Sequence, residues 1–168
     1  MMNNICIYVK LKPYVEQWLT SIYGNPVKFP KCSMENDEIR HWLTRVPEGC
    51  LPQMKVEGSV AIVLPQSKRR PPEVYNYLTK SAQDCICGMI NNNFDSDLKS
   101  SVKRSVCNGV PIMKAVRAFM KHHNISLEHD ETLRQRINRT VMFYKRKNLN
   151  FFFFDAKINE EKVLEKEG

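Results

Sequence analysis

Two short segments of this sequence have the β-branched and aromatic composition of a β-strand, and they limit the fold more than any other feature. They are Ile5–Val9 and Val60–Leu64. Both are apolar enough to be largely buried, so we expect a small N-terminal sheet formed by residues 4–10 and 58–64. The patterns that follow the second strand, up to residue 147, are helical. We therefore predict an α+β fold that is predominantly helical.

Two helices are predicted between the strands. The first begins with Pro13 in its first turn, where a fixed φ suits a helix start, and stops at Gly24. The second has Ser33 as its N-cap, acidic residues in its first turns and Arg45 at its end, as the helix dipole favours.

The length of 168 residues suits one domain, and we divide the chain into three segments. They are an N-terminal strand and helix subdomain (1–66), a basic helical portion (67–147) and a tail rich in Phe and acidic residues (148–168). A basic, proline-flanked connector at residues 65–72 separates the first two. In the helical portion we predict a long helix with Val74, Leu78, Ala82, Cys85 and Met89 inward. It should fray at residues 91–93, before a shorter helix capped by Asp95.

Positive charge is concentrated in the second segment. Residues 67–147 carry 16 basic and 7 acidic side chains, whereas residues 1–66 carry 7 and 6, within a chain whose net charge is +8. Clustered Lys and Arg bind phosphates with release of counterions, so we expect a polyanionic partner, and nucleic acid before membrane.

Residues 111–147 predict a helix, a turn and a second, basic helix. Asn124, with Ile125 behind it, should form a left-handed cap on the first helix, and Asp130 should cap the second. At 100° per residue, a buried face made of Leu133, Ile137 and Tyr144 leaves a polar face opposite. That face holds Gln135, Asn138, Arg139, Met142 and Arg146, with Arg134 and Lys145 beside it.

This polar face has the chemistry of base recognition. Arg pairs bidentately with guanine, Asn and Gln pair with adenine, and flanking Arg and Lys suit phosphates. The pair resembles a helix-turn-helix unit, although residues 124–129 form a longer turn that lacks the usual Gly. The predicted nucleic-acid contacts on the helix are Arg134, Gln135, Asn138, Arg139, Lys145 and Arg146. Lys68, Arg69 and Arg70 could add a phosphate-binding arm, but three charges beside prolines are more typical of a solvated linker. A solvated surface helix and an acidic protein partner remain open alternatives.

No motif of the sequence predicts an enzyme, a metal site or a cofactor. A Gly-rich phosphate loop, a nucleophile elbow and a His-Glu-x-x-His pattern are all missing. His122, His123 and His129 are close in sequence, but the spacing of Cys85 and Cys87 does not match a zinc site. We expect Cys85 to be a small core residue and the protein to be non-enzymatic.

Four consecutive phenylalanines, Phe151, Phe152, Phe153 and Phe154, begin the tail. They cannot all face one way in a helix or a strand. Either they dock on the core with both faces covered, or they form an interface with another molecule. The interface would suit a non-catalytic adaptor protein, the alternative to nucleic-acid binding.

Several segments resemble a family of small uncharacterised proteins from gut bacteria, their prophages and conjugative elements. They are Ile5–Lys10, the helix from Pro13 to Trp18, the turn Asn25–Pro30, the segment Tyr75–Leu78 and the late helix Arg134–Lys147. The resemblance implies a mobile-element or phage setting and brings no established activity.

From the sequence we expect a DNA-binding accessory or regulatory protein, with DNA preferred to RNA as the partner. The longest aliphatic stretch is too short to span a bilayer and the N-terminus lacks a secretory pattern, so we expect a cytoplasmic protein with reduced cysteines. Whether it forms a homodimer, or binds a protein through its tail, stays open.

Overall fold

A two-stranded antiparallel sheet confirms the predicted α+β class in a computed structural model that describes residues 4–152. Strand β1 (Cys6–Lys10) pairs with β2 (Ser59–Val63), so that Ile7 lies opposite Ile62 and Val9 opposite Val60. Directly opposed residues of an antiparallel pair share one face of the sheet, and these four side chains are all buried. The alternation of each strand therefore fixes its register.

Helices α1 (Pro13–Tyr23) and α2 (Met34–Trp42) begin where the sequence predicts. Pro13 lies in the first turn of α1, and the Ser33 hydroxyl accepts a hydrogen bond from the backbone N–H of Asn36 at 3.2 Å. Helix α2 ends before the predicted Arg45. Thr44 instead exchanges two backbone hydrogen bonds with Tyr77, at 2.9 and 3.1 Å, and this bridge requires extended backbone.

Helix α3 (Lys80–Cys107) is a single element of 28 residues, so the predicted break at residues 91–93 and the separate helix from Asp95 are wrong. The asparagines fit inside the helix because their amides find partners: Asn91 donates to the Cys87 carbonyl at 2.8 Å, and Asn93 to Glu35 Oε1 at 3.1 Å. Val74 precedes the helix and is exposed.

The buried positions of α3 recur every four residues. They are Ala82, Ile86, Ile90, Phe94, Leu98 and Val102. Cys85 is exposed, so its predicted core position is wrong. Four residues turn an α-helix by about 400°, so the buried stripe shifts around the helix by about 40° at each step. A prediction that follows a strict 3.6-residue period keeps the stripe on one side of the helix and therefore selects the wrong residues.

The C-terminal part consists of α4 (Ile112–His122), a 3₁₀ turn (Leu127–His129) and α5 (Asp130–Arg146). Asn124 has φ 53° and Ile125 behind it is buried, which confirms the predicted left-handed cap. Asp130 is the first residue of α5 and not its cap, because the 3₁₀ turn leads directly into the helix through His129.

The described chain divides into two compact units. One contains residues 4–95 and 123–125, and the other contains residues 96–122 and 126–152. The division falls inside α3, so it does not coincide with the segment boundary at residue 66. In the first unit Phe94 is fully buried, with the rings of Tyr14 and Trp18 each centred 5.5 Å from it. The second unit contains α4 and α5.

Candidate nucleic-acid interface

One side of α5 carries the polar face that the sequence predicts. Its five central residues, Gln135, Asn138, Arg139, Met142 and Arg146, are all exposed. Met142 is 50% exposed and Phe143, beside it, is 53% exposed. Sequence reasoning missed Phe143, which helical geometry places at the edge of this face. We call these six residues the α5 face.

Packing on the opposite side of the helix fixes which residues α5 exposes. Leu133 and Ile137 are fully buried, and they lie one turn apart at the N-terminal half of the helix. Near the C-terminal end the half-buried Tyr144 packs its ring 5.3 Å from that of Phe151. Three predicted inward positions therefore hold the helix in one rotational setting.

Arg134 is a predicted contact whose guanidinium already has internal partners. Its Nη2 pairs with Glu131, and its Nε lies 3.5 Å from Asp130 Oδ2. The side chain is 32% exposed. Gln135 also donates to Glu131, at 3.0 Å. A base or phosphate would have to compete with these carboxylates for Arg134.

Asp130 links α4 to α5. Its carboxylate lies 3.1 Å from Arg117 Nη2 of α4 while it also contacts Arg134, and its side chain is 14% exposed. Charge-assisted bonds in such a partly buried position are stronger than those of a solvated pair. Asp130 therefore helps to set the position of α5 against α4.

Beyond Glu131 the helix contains no acidic residue. No ion pair among residues 4–152 involves Arg139, Lys145 or Arg146. All three are exposed. Their donors can thus bind an external acceptor without breaking an internal bond.

The unit that contains α5 is strongly basic. Its described residues carry 12 Lys and Arg against 4 Asp and Glu, whereas the first unit carries 11 against 9. The predicted excess of positive charge is therefore a property of the unit that presents the α5 face. A surface with this imbalance attracts polyanions.

The three basic residues of the proline-flanked connector lie in the first unit. Lys68 and Arg69 are exposed. Arg70 has an internal role: its Nη1 donates to the Arg40 carbonyl at 3.0 Å, and to those of His41 and Leu43 at 3.4 Å. Cations stabilise the free carbonyls at a helix C-terminus, so Arg70 acts as a cap on α2.

The beginning of the tail is part of the second unit. Phe151 is buried, with the Lys103 ammonium 5.9 Å from its ring centre. Phe152 is half-buried, and its carbonyl accepts from the Cys107 thiol at 2.9 Å. These contacts match the docked alternative at Phe151, whereas Phe153 and Phe154 lie outside the described residues.

The histidines that are close in sequence do not gather into a metal-binding cluster in the part of the chain that the structure describes. Within residues 4–152 no group of three His, Cys, Asp or Glu side chains could hold a metal ion. His123 is buried in the first unit, with its Nδ1 3.1 Å from the Ser21 hydroxyl, while His122 is exposed. None of the helices in this range is long and apolar enough to cross a membrane.

Comparisons with protein-family models, with curated proteins and with solved structures give no match to this chain. The α5 face and the positive charge of its unit are therefore the features of the described chain that bear on function.

Proposed function

We propose that this protein binds duplex DNA through the α5 face and acts as an accessory or regulatory protein of a phage or mobile element. The observation that carries the proposal is the row of α5 side chains that can form hydrogen bonds with base edges. These side chains are exposed, and no acidic residue follows Glu131 in the helix. The mobile-element setting rests on the sequence resemblance alone.

Each kind of side chain on the α5 face has a counterpart in the major groove. Arg139 and Arg146 offer the paired donors that match O6 and N7 of guanine. Gln135 and Asn138 can bond the edge of adenine, and Met142 and Phe143 can contact the methyl group of thymine. Lys145 flanks the face, where a cation would meet a phosphate.

In the broad sense of a helix-turn-helix, α4 would be the supporting helix and α5 the recognition helix. Helix α4 buries Ala115, Val116, Phe119 and Met120, while the 17 residues of α5 form a rod about 25 Å long. The major groove is about 12 Å wide and admits an α-helix. The 3₁₀ turn makes the connection longer than that of the tight motif, so we propose an irregular variant.

The test is fluorescence anisotropy with a labelled random-sequence duplex at low salt. The Arg139→Ala/Arg146→Ala double variant should lose about tenfold or more in affinity, because it loses two cations and their hydrogen bonds. Both side chains are exposed and lack ion pairs in the described chain, so the variant should fold normally.

Lys28→Ala/Lys31→Ala is the matched control, since it removes the same charge from exposed positions of the first unit. It should bind almost as well as the unmodified protein. Equal binding by the α5 double variant, or no binding by the unmodified protein, would refute the proposal. The adaptor alternative has less support, because Phe151 is buried inside its own unit.

A further inference from the structure

We infer that α5 selects duplexes in which two G·C pairs lie about three base-pair steps apart, one read by Arg139 and the other by Arg146. The inference rests on the proposed function, since it specifies what the α5 face reads once it lies in the major groove. It adds a sequence preference to a general affinity for DNA.

The spacing of the two arginines sets the spacing of the two guanines. Seven residues separate Arg139 from Arg146, which is two helical turns with a rotation of only about 20° between them. Their Cα atoms are thus about 10.5 Å apart along the helix axis. Stacked bases of one strand are about 3.4 Å apart, and about 10.5 Å corresponds to about three such steps. The two arginines of a helix lying along the groove therefore face base pairs about three steps apart.

Internal partners decide which cations can act as readers. Arg134 is paired with Asp130 and Glu131, so a base would have to displace these carboxylates before it could bind the Arg134 guanidinium. The Lys145 ammonium is a compact charge without the paired, coplanar donors of a guanidinium. It therefore suits a phosphate better than guanine. The guanidinium groups of Arg139 and Arg146 have no ion-pair partner in the described chain, and both residues lie at the centre of the α5 face.

Met142 separates the two arginines on the same side of the helix, and half of its surface is exposed. A thioether makes van der Waals contacts and at most weak hydrogen bonds. The base pairs between the two guanines should therefore be recognised with little sequence preference, and the methyl group of thymine should be the favourable contact there.

The first experiment selects bound duplexes from a fully randomised 20-base-pair library with the full chain. Enrichment of two G·C pairs three steps apart is the expected result. Selection that retains duplexes but enriches no such pair would overturn the inference and leave the proposed function intact. Retention of no duplex would overturn both.

The second experiment replaces each selected guanine, one at a time, with 7-deazaguanine, which lacks the N7 acceptor but keeps base pairing and charge. Each replacement should weaken binding by the unmodified protein by about tenfold, the cost of one charge-assisted hydrogen bond. Arg139→Ala should lose this sensitivity at one guanine and Arg146→Ala at the other. Sensitivity at both guanines in both variants would refute the assignment.

Arg139→Lys and Arg146→Lys serve as matched variants, because they keep the positive charge and remove the paired donors of the guanidinium. They should bind random duplex almost as well as the unmodified protein but lose most of the preference for guanine. A lysine variant with unchanged preference would show that charge alone selects these duplexes, and would overturn the inference.

Discussion

The arginines of this protein differ in what already occupies their donors. Arg117 and Arg134 bind Asp130, and Arg70 binds carbonyls at the end of α2. A guanidinium with an internal partner has to give up that bond before it can bind DNA. Arg139 and Arg146, on the α5 face, have no such cost, so their guanidinium groups can bind an external acceptor directly.

Arg70 should matter for stability and not for DNA binding. Arg70→Ala removes the cation that caps three carbonyls near the end of α2, so we expect a loss of about 1–2 kcal/mol in the free energy of unfolding. Arg69→Ala, at the exposed neighbouring position, should change it by less than about 0.5 kcal/mol. Urea denaturation followed by far-UV circular dichroism measures both. Equal effects of the two substitutions would contradict the capping role.

Cys85 and Cys87 should differ in reactivity although they share one helix. Burial and the nearby Asp84 carboxylate raise the pKa of Cys87, whose thiol lies 3.5 Å from the Lys10 carbonyl, whereas Cys85 is exposed. A raised pKa leaves less thiolate near pH 8, so iodoacetamide should modify Cys87 more slowly, by about tenfold or more.

Peptide mass spectrometry of timed samples would give both rates. The ratio of the rates should narrow as the pH rises, because more of the Cys87 thiol then ionises. Equal rates at pH 8 would contradict the burial of Cys87.

At the scale of elements, α3 contains a site where its stability can be raised. Gly88 lies within the helix, and a Cβ added there would have no heavy atom within 4 Å. Gly88→Ala should therefore stabilise the protein by about 0.5–1 kcal/mol, because alanine favours the helix. Gly109→Ala is the opposing control: φ is +84° there, so the substitution should destabilise by about 1 kcal/mol. Thermal unfolding would check both, and a lower melting temperature for Gly88→Ala would contradict a continuous α3.

Local signals predicted some elements correctly and failed for others. Pro13 and Ser33 locate the starts of α1 and α2, because a helix start depends on a few adjacent residues. Helix α3 was predicted as two helices, since Asn91 and Asn93 are poor helix formers. Their side-chain hydrogen bonds compensate, and the partner of Asn93 is 58 residues away in the sequence.

The sequence predicts correctly which side of α5 is exposed. The period of Leu133 and Ile137 is enough to identify the exposed face of α5. The pairing of Arg134 with Asp130 and Glu131 follows from spacings of four and three residues, a signal that the prediction did not use. The contact from Arg117 to Asp130 depends on how α4 packs on α5, which local patterns do not contain.

At the scale of the whole molecule, charge divides between the two units. The first is nearly balanced and the second carries a net +8 over its described residues. Long-range attraction to a polyanion depends on such a summed charge, whereas sequence preference depends on a few base contacts. The two properties should therefore respond to different substitutions.

The salt dependence of binding tests this division. If five or six phosphates are contacted, the logarithm of the binding constant should fall against the logarithm of the salt concentration with a slope of about −5. Lys145→Ala should reduce the steepness of the slope by about one unit on every duplex, because it removes one exposed cation beside the α5 face. Lys28→Ala, from the balanced unit, should leave the slope unchanged. Anisotropy titrations between about 50 and 200 mM salt give these slopes. A flat profile for the unmodified protein, or equal slopes for it and Lys145→Ala, would show that the charge of the second unit does not drive association.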